Sequence, residues 1–128
     1  MPAALVTNFI TAIESGNLDG ALQLLADDCE YDNVPMGKVF GRDAVRATLA
    51  PFLANYDEVE WVIVHQVAAG TTEDGVVMNE RIDRFRSADR WVELPVAGVF
   101  EVRHGQISLW RDYFDKETLL RMFASAAS

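Results

Sequence analysis

Arg81 and Asp83 in the run Asn79-Glu80-Arg81-Ile82-Asp83-Arg84-Phe85, and Asp112 in Leu109-Trp110-Arg111-Asp112-Tyr113-Phe114, are the residues of this chain best suited to chemistry. Both runs read as β-strands. Side chains alternate across a strand, so Arg81 and Asp83 share a face with Val77, Asn79 and Phe85, and Asp112 shares one with Trp110 and Phe114. A carboxylate between Trp and Phe is sheltered from water, where an ionised group is costly unless it is paired. If both strands turn these faces inward, one guanidinium bridges two carboxylates. Two carboxyl groups held close do not both ionise easily, so the pair carries one proton near neutral pH and offers an acid and a base together. The acid can donate to a substrate oxygen, and the base can take a proton from water or from carbon. Tyr31 and Asn33, two residues apart on an extended segment, add a hydroxyl and an amide able to position a water or a substrate oxygen.

Each of these residues also has a plainer reading. An isolated Arg-x-Asp on a strand is more often a solvated ion pair, and it is the companion Asp112 that argues otherwise. A one-residue slip of either strand would bring Arg111 and Tyr113 inward and dissolve the triad. Tyr31 and Asn33 could equally end a short edge strand. His65 and His104 have no second ligand at metal spacing, so both read as structural and no metal is expected. Cys29 has no neighbouring pattern of a reactive thiol and reads as core. Serine-elbow, phosphate-loop and dinucleotide motifs do not occur, and no cofactor is expected.

The elements that must position the triad run helices first, then strands, then a closing helix. Leu5, Val6, Phe9, Ile10 and Ile13 recur at helical spacing, and Gly16 suits the helix end. Asn17 caps a second helix carrying Leu18, Ala21, Leu22 and Leu25. Residues 29–34 read as extended, and Pro35, Met36 and Gly37 break them into a loop able to cover a site. Gly41-Arg42-Asp43 opens a third helix carrying Val45, Leu49, Phe52 and Leu53, with Pro51 disturbing its last turns. From residue 59 the period becomes two, giving strands over 59–69, 76–85, 91–102 and 106–114 joined by short links, hence antiparallel neighbours. Two of them are long enough to require a bulge, expected at Pro95 or Gly98. Asp115 caps a last helix with Leu119, Leu120, Met122 and Phe123 on one side. The expected fold is α+β, a single domain over 1–128, in which N-terminal helices pack on a curved sheet around a deep apolar pocket. Leu94, Val96, Gly98, Phe100, Trp110 and Phe114 are the expected walls, with Met36 from the loop.

Composition limits the ligand. The chain has 128 residues, half of them hydrophobic, enough for one core and a lined cavity. A net charge of −9 argues against nucleic acid and anionic membrane surfaces as partners and for a neutral or cationic ligand. A single cysteine excludes an intramolecular disulfide. The absence of a basic leader and of any apolar run near membrane length makes a soluble, cytoplasmic protein the expectation.

The segments Tyr31-Asp32-Asn33-Val34-Pro35-Met36, Gly41-Arg42-Asp43-Ala44-Val45, Glu80-Arg81-Ile82-Asp83 and Gly98-Val99-Phe100, followed by Gly105 to Asp115, resemble the limonene-1,2-epoxide hydrolases, in order and over nearly the whole chain. The resemblance implies the cone-shaped fold of nuclear transport factor 2 and ketosteroid isomerase. It implies a homodimer, and hydrolysis of a small hydrophobic epoxide to a vicinal diol without metal or covalent intermediate. By the same resemblance Asp112 is the base that deprotonates water, Asp83 the acid that donates to the epoxide oxygen, and Arg81 the bridge, with Tyr31 and Asn33 holding the water. The chain departs from the family at Met36-Gly37-Lys38-Val39-Phe40, which replaces a proline-rich loop, and at Asp32, which adds a charge. Two other readings stand beside this one: an isomerase or cyclase of the ketosteroid-isomerase kind, and a non-catalytic pocket for a hydrophobic ligand.

Overall fold

The structure, a computed structural model, describes residues 1–127. Its elements are α1 (Pro2–Glu14), α2 (Leu18–Gln23), β1 (Leu25–Asn33), β2 (Gly37–Phe40), α3 (Arg42–Leu53), β3 (Glu58–Gly70), β4 (Asp74–Ser87), β5 (Arg90–Arg103), β6 (Gln106–Tyr113) and α4 (Lys116–Ala127). The strands form one sheet in the order β2-β1-β6-β5-β4-β3. This is the expected α+β architecture.

Local chemistry accounts for the helical hairpin. Pro2 sits in the first turn of α1, where a missing N–H costs nothing. At the other end Gly16 takes φ +79°, a left-handed conformation that lets Asn17 N–H reach Ala12 O at 2.9 Å. The Asn17 side chain then accepts from Gly20 N–H at 3.0 Å and caps α2. Val6, Phe9, Ile10 and Ile13 bury one face of α1 against the sheet. There Phe9 meets Trp110 edge-on at 4.9 Å, and Tyr31 stacks on Trp110 at 3.9 Å. At roughly 1.5–3 kcal/mol for each fully buried large apolar side chain, this stripe is what holds the helices to the strands.

The links between β3, β4, β5 and β6 make antiparallel pairs, as short connections require. β1 lies parallel to β6, however, which brings Asn33 alongside Asp112 and Tyr31 alongside Trp110. The sheet is therefore mixed. Register shifts fall between Leu25 and Glu30, between Ile63 and His65 and between Glu101 and Val102, and not at Pro95 or Gly98 as expected. β5 passes through both positions in unbroken register with β4. Pro95 is tolerated because β6 last pairs at Tyr113 with Ala97, so β5 has a neighbour on one side only at Pro95. The segment after Asn33 is also tighter than a covering loop. Met36 N–H reaches Asn33 O at 2.8 Å, and the chain returns at once as β2. Among the described residues no helix is long and apolar enough to cross a membrane.

Candidate active site

β4 shows strict alternation of burial, with Val77, Asn79, Arg81, Asp83 and Phe85 inward. On β6 Asp112 is inward and Arg111 outward, so the one-residue slip that would dissolve the triad does not occur. β5 lies between these strands. Its Gly98 pairs with Asn79 on one side and Asp112 on the other, so the three residues share one row of the concave face. Arg81, next along β4, must lay its side chain over Gly98 to reach Asp112. A Cβ at residue 98 would overlap Arg81 Nη1 and stand 2.7 Å from Asn79 Oδ1 and 3.1 Å from Asp112 Oδ1. Glycine there is a requirement of the site, since even one methyl would displace the guanidinium.

The guanidinium is wholly buried, and Asp83 and Asp112 nearly so. Arg81 Nε donates to Asp83 Oδ1 at 3.0 Å and Nη2 to Asp83 Oδ2 at 3.1 Å, a two-pronged grip on one carboxylate. The same Nη2 donates to Asp112 Oδ2 at 3.0 Å. Nη1 donates to Asn79 Oδ1, also at 3.0 Å. The Trp61 ring lies 5.4 Å from the guanidinium carbon and supplies a π-face to the same cation. What remains is Asp112 Oδ1, buried and without a hydrogen-bond partner among the described residues.

Burial acts on Asp83, Arg81 and Tyr31. It pushes the Asp83 carboxyl up to about 6, with the Asp112 charge adding to the rise and Arg81 opposing it. For Arg81, burial disfavours the cation, but the charges of Asp112 and Asp83 reverse that and hold the guanidinium firmly protonated. Burial and then the Asp112 charge raise the Tyr31 phenol well above its ordinary value, with partial relief from its side-chain hydrogen bond to Asn33. Tyr31 is therefore a neutral hydroxyl at any ordinary pH. The set contains one fixed cation, one carboxyl whose proton is held near neutrality, and one carboxylate oxygen free to accept.

A cavity of about 230 Å³ opens onto this cluster. Tyr31, Asn33, Asp83 and Asp112 line it, as do four of the expected walls, Leu94, Val96, Phe114 and Met36. Phe100 and Trp110 do not. Both are fully buried behind the cavity, packed around Phe9, because the apolar stripe of α1 covers that end of the concave face. Their inward aim was legible in the alternation, but which inward residues meet a helix is set by tertiary packing. Walls missing from the expectation are Thr48, Leu49 and Phe52 from α3, Trp61 and Phe85 from β3 and β4, and Leu119 and Phe123 from α4. Leu49, Phe52, Leu119 and Phe123 were visible as apolar stripes, which ordinarily signal core. No group of three or more His, Cys, Asp or Glu placed to hold a metal occurs among the described residues.

Residues 1–125 match the family model described as the limonene-1,2-epoxide hydrolase catalytic domain. A Mycobacterium tuberculosis protein named Epoxide hydrolase EphG is 34% identical over 110 residues, 86% of this chain and 70% of its own length. Among solved structures, an M. tuberculosis LEH-like epoxide hydrolase superposes with a TM-score of 0.74 at 32% identity, covering 97% of this chain and 92% of the other. An NTF2-like protein of unknown function from Cytophaga hutchinsonii gives 0.70 at 18% identity, over 94% and 95% of the two chains, and speaks for the fold alone.

Proposed function

The chain belongs to the limonene-1,2-epoxide hydrolase family, and from that premise we propose that it opens a small hydrophobic epoxide to a vicinal diol by adding water in a single acid- and base-assisted step. The observation that carries this reading is the unequal use of the four carboxylate oxygens. Three are tied to Arg81, and the fourth, Asp112 Oδ1, is buried and unpaired, in a residue that lines the cavity with Tyr31 and Asn33. A water held by the Tyr31 hydroxyl and the Asn33 amide would donate a hydrogen bond to that oxygen.

In the proposed step Asp112 Oδ1 accepts a proton from this water while the water oxygen forms a bond to one epoxide carbon. The C–O bond of the ring breaks, and its electron pair goes to the epoxide oxygen, which takes the proton of Asp83. The products are the diol, a protonated Asp112 and an ionised Asp83. Arg81 contacts both carboxylates before and after, so the charge moves across a fixed cation, and return of one proton from Asp112 to Asp83 completes the cycle. Nothing in the step calls for a metal, a cofactor or a covalent intermediate. The substrate is small and mostly apolar. A cavity of about 230 Å³ lined mainly by Leu, Val, Phe and Trp side chains suits such a molecule. The same reading makes the protein a cytoplasmic homodimer that pairs through exposed side chains such as Val67 and Met78 on the outer face of the sheet, which sedimentation checks.

The test is a single turnover of terpene, styrene and cyclohexene epoxides with enzyme in excess in oxygen-18 water. Direct attack by water labels the first diol formed, whereas a covalent ester would deliver unlabelled enzyme oxygen first. Asp112→Asn and Asp83→Asn are expected to lower the rate by about 10²–10⁴-fold each. Unlabelled first-turnover diol, or full activity in both variants, would overturn the reading. Isomerisation of a steroid-like enone in place of epoxide hydrolysis would move it to the ketosteroid-isomerase kind.

A further inference from the structure

Three of the four hydrogen bonds made by the Arg81 guanidinium go to the two aspartates, and the fourth, from Nη1, goes to the amide oxygen of Asn79. Asn79 is 5% exposed and stands two residues before Arg81 on the inward face of β4. Its amide is itself held. Asn79 Nδ2 donates to Gln66 Oε1 on β3 at 3.1 Å, and Gln66 Nε2 donates to Thr7 Oγ1 on α1 at 3.2 Å. The direction of every link follows from the first. A guanidinium has only donors, so Asn79 must turn its oxygen toward Arg81 and its NH2 away. That NH2 needs an acceptor, which obliges Gln66 to present its oxygen, and the Gln66 NH2 in turn takes the Thr7 hydroxyl oxygen.

From this geometry we infer that Asn79 is a positioning residue of the site, fixed by Gln66 and Thr7, which sets the plane of the Arg81 guanidinium and thereby the placement of Asp83 against Asp112. The two-pronged grip on Asp83 alone leaves the guanidinium free to pivot with that carboxylate. A third anchor on the opposite nitrogen removes the pivot and holds Nη2 where it meets Asp83 Oδ2 and Asp112 Oδ2 together. Asn79 does this as a neutral acceptor. An aspartate there would grip Arg81 at least as firmly but would bring a third carboxylate to a single cation, and so raise the proton affinity of the working pair. Gly98 supports the same account, because a Cβ on residue 98 would collide with both atoms of the Arg81–Asn79 hydrogen bond.

The inference rests on the hydrolase reading for its effect on rate, but the placement of the proton can be followed without substrate. Three variants, Asn79→Leu, Asn79→Asp and Gln66→Met, are compared by kcat and KM on an epoxide, by thermal unfolding, and by carboxyl carbon NMR of Asp83 and Asp112 against pH. Asn79→Leu is expected to lower kcat by about tenfold or more with little change in KM, since orientation and not binding is lost. Asn79→Asp is expected to move the Asp83 titration to higher pH, and with it the alkaline limb of the rate. Gln66→Met, which leaves Arg81 and its contacts in place and keeps a partly exposed site filled, is expected to fold normally and lose kcat by a few-fold. A merely structural role for Asn79 predicts lower melting temperatures with kcat and both titrations unmoved. That outcome, or wild-type kcat and titrations in folded Gln66→Met and Asn79→Asp, would overturn the inference. If no epoxide is turned over by the parent protein, the hydrolase reading fails, and the NMR titrations still decide the role of Asn79.

Discussion

Arg81 and Arg111 each bridge two carboxylates, on two strands of one sheet, and differ in which side of the pleat they occupy. Arg81 points into the cone, wholly buried, and holds Asp83 and Asp112, which are nearly so. Arg111, adjacent to Asp112 on β6, points outward and holds Asp32 and Glu30, both at 3.0 Å. About a third of its side chain remains in water. Arg84 repeats the outer arrangement on β4, between Glu60 and Glu93. Donor, acceptors and distances are nearly the same in all three. On the outside the surplus negative charge of two carboxylates against one guanidinium is absorbed by solvent. On the inside nothing absorbs it, so it appears as a carboxyl group that keeps its proton to about pH 6 and a carboxylate oxygen with no partner. Alternation along a strand separates an ordinary surface ion pair from a buried one that retains a proton.

The sharpest way to break that contrast is to remove each arginine in turn. Arg81→Gln leaves two buried carboxylates facing each other, and removing one partner from a buried cluster of this kind costs about 3–5 kcal/mol. At neutral pH the variant is expected to unfold at much lower denaturant and to be inactive. Part of the stability is expected to return near pH 5, where a carboxyl can take up a proton. Urea titrations at pH 5 and pH 7 measure both effects. A loss no larger than that of Arg111→Gln would mean that burial does not separate the two clusters.

The contrast itself was legible in the sequence to the extent that it depends on period two. The shared face of Arg81, Asp83 and Asp112, and the outward turn of Arg111, follow from alternation alone, and the structure places them so. The inward aim of Tyr31 and Asn33 was less determined. It depends on β1 running parallel to β6, a long-range pairing that no local pattern encodes. Phe100 and Trp110 show the limit most clearly. Alternation assigns them correctly to the concave face, but only the packing of α1 decides that they meet Phe9 and not the cavity. Phe52 and Phe123 fail the other way, since a helical stripe facing a cavity has the same spacing as one facing core. Gly98 was expected to mark a bulge, and its use is instead to leave room for a guanidinium, which depends on the length of a side chain from the neighbouring strand.

A smaller effect sharpens the comparison from the side of pH. Burial first, and then the neighbouring Asp112 charge, lift Asp83 from an ordinary carboxyl value of 3.8 to about 6. The folded protein therefore binds this proton more tightly than the unfolded chain does. The associated stability is whole below about pH 4 and is lost as pH rises through about 6. The rate follows the same sign if Asp83 is the acid, with kcat/KM falling tenfold per pH unit above its titration. Infrared spectra of the protonated carboxyl are expected to show one neutral group titrating near pH 6, absent in Asp83→Asn and kept in Asp32→Asn. A signal that persists in Asp83→Asn would assign the proton elsewhere.

The smallest expected effect tests whether the two faces are insulated from one another. Arg111 is joined to Asp112 by a single peptide bond, and its partner Asp32 lies between Tyr31 and Asn33 on β1. Any coupling from the outer cluster to the site would pass through those bonds. The pleat argues against it, because Arg111 and Asp32 project away from the cavity, Arg111 with about a third of its side chain in water, and surface pairs contribute about 0–1 kcal/mol. Lys38 lies 3.5 Å from Glu30 and can take over part of the lost attraction. Arg111→Gln is therefore expected to cost no more than about 1 kcal/mol, less still in high salt, and to leave kcat within about twofold of the parent. A double-mutant cycle with Asp32→Asn measures the pair directly. A large loss of kcat with normal stability would show that the outer arginine holds β1 in register against β6, and that Tyr31 and Asn33 are positioned from outside the cone as well as from within.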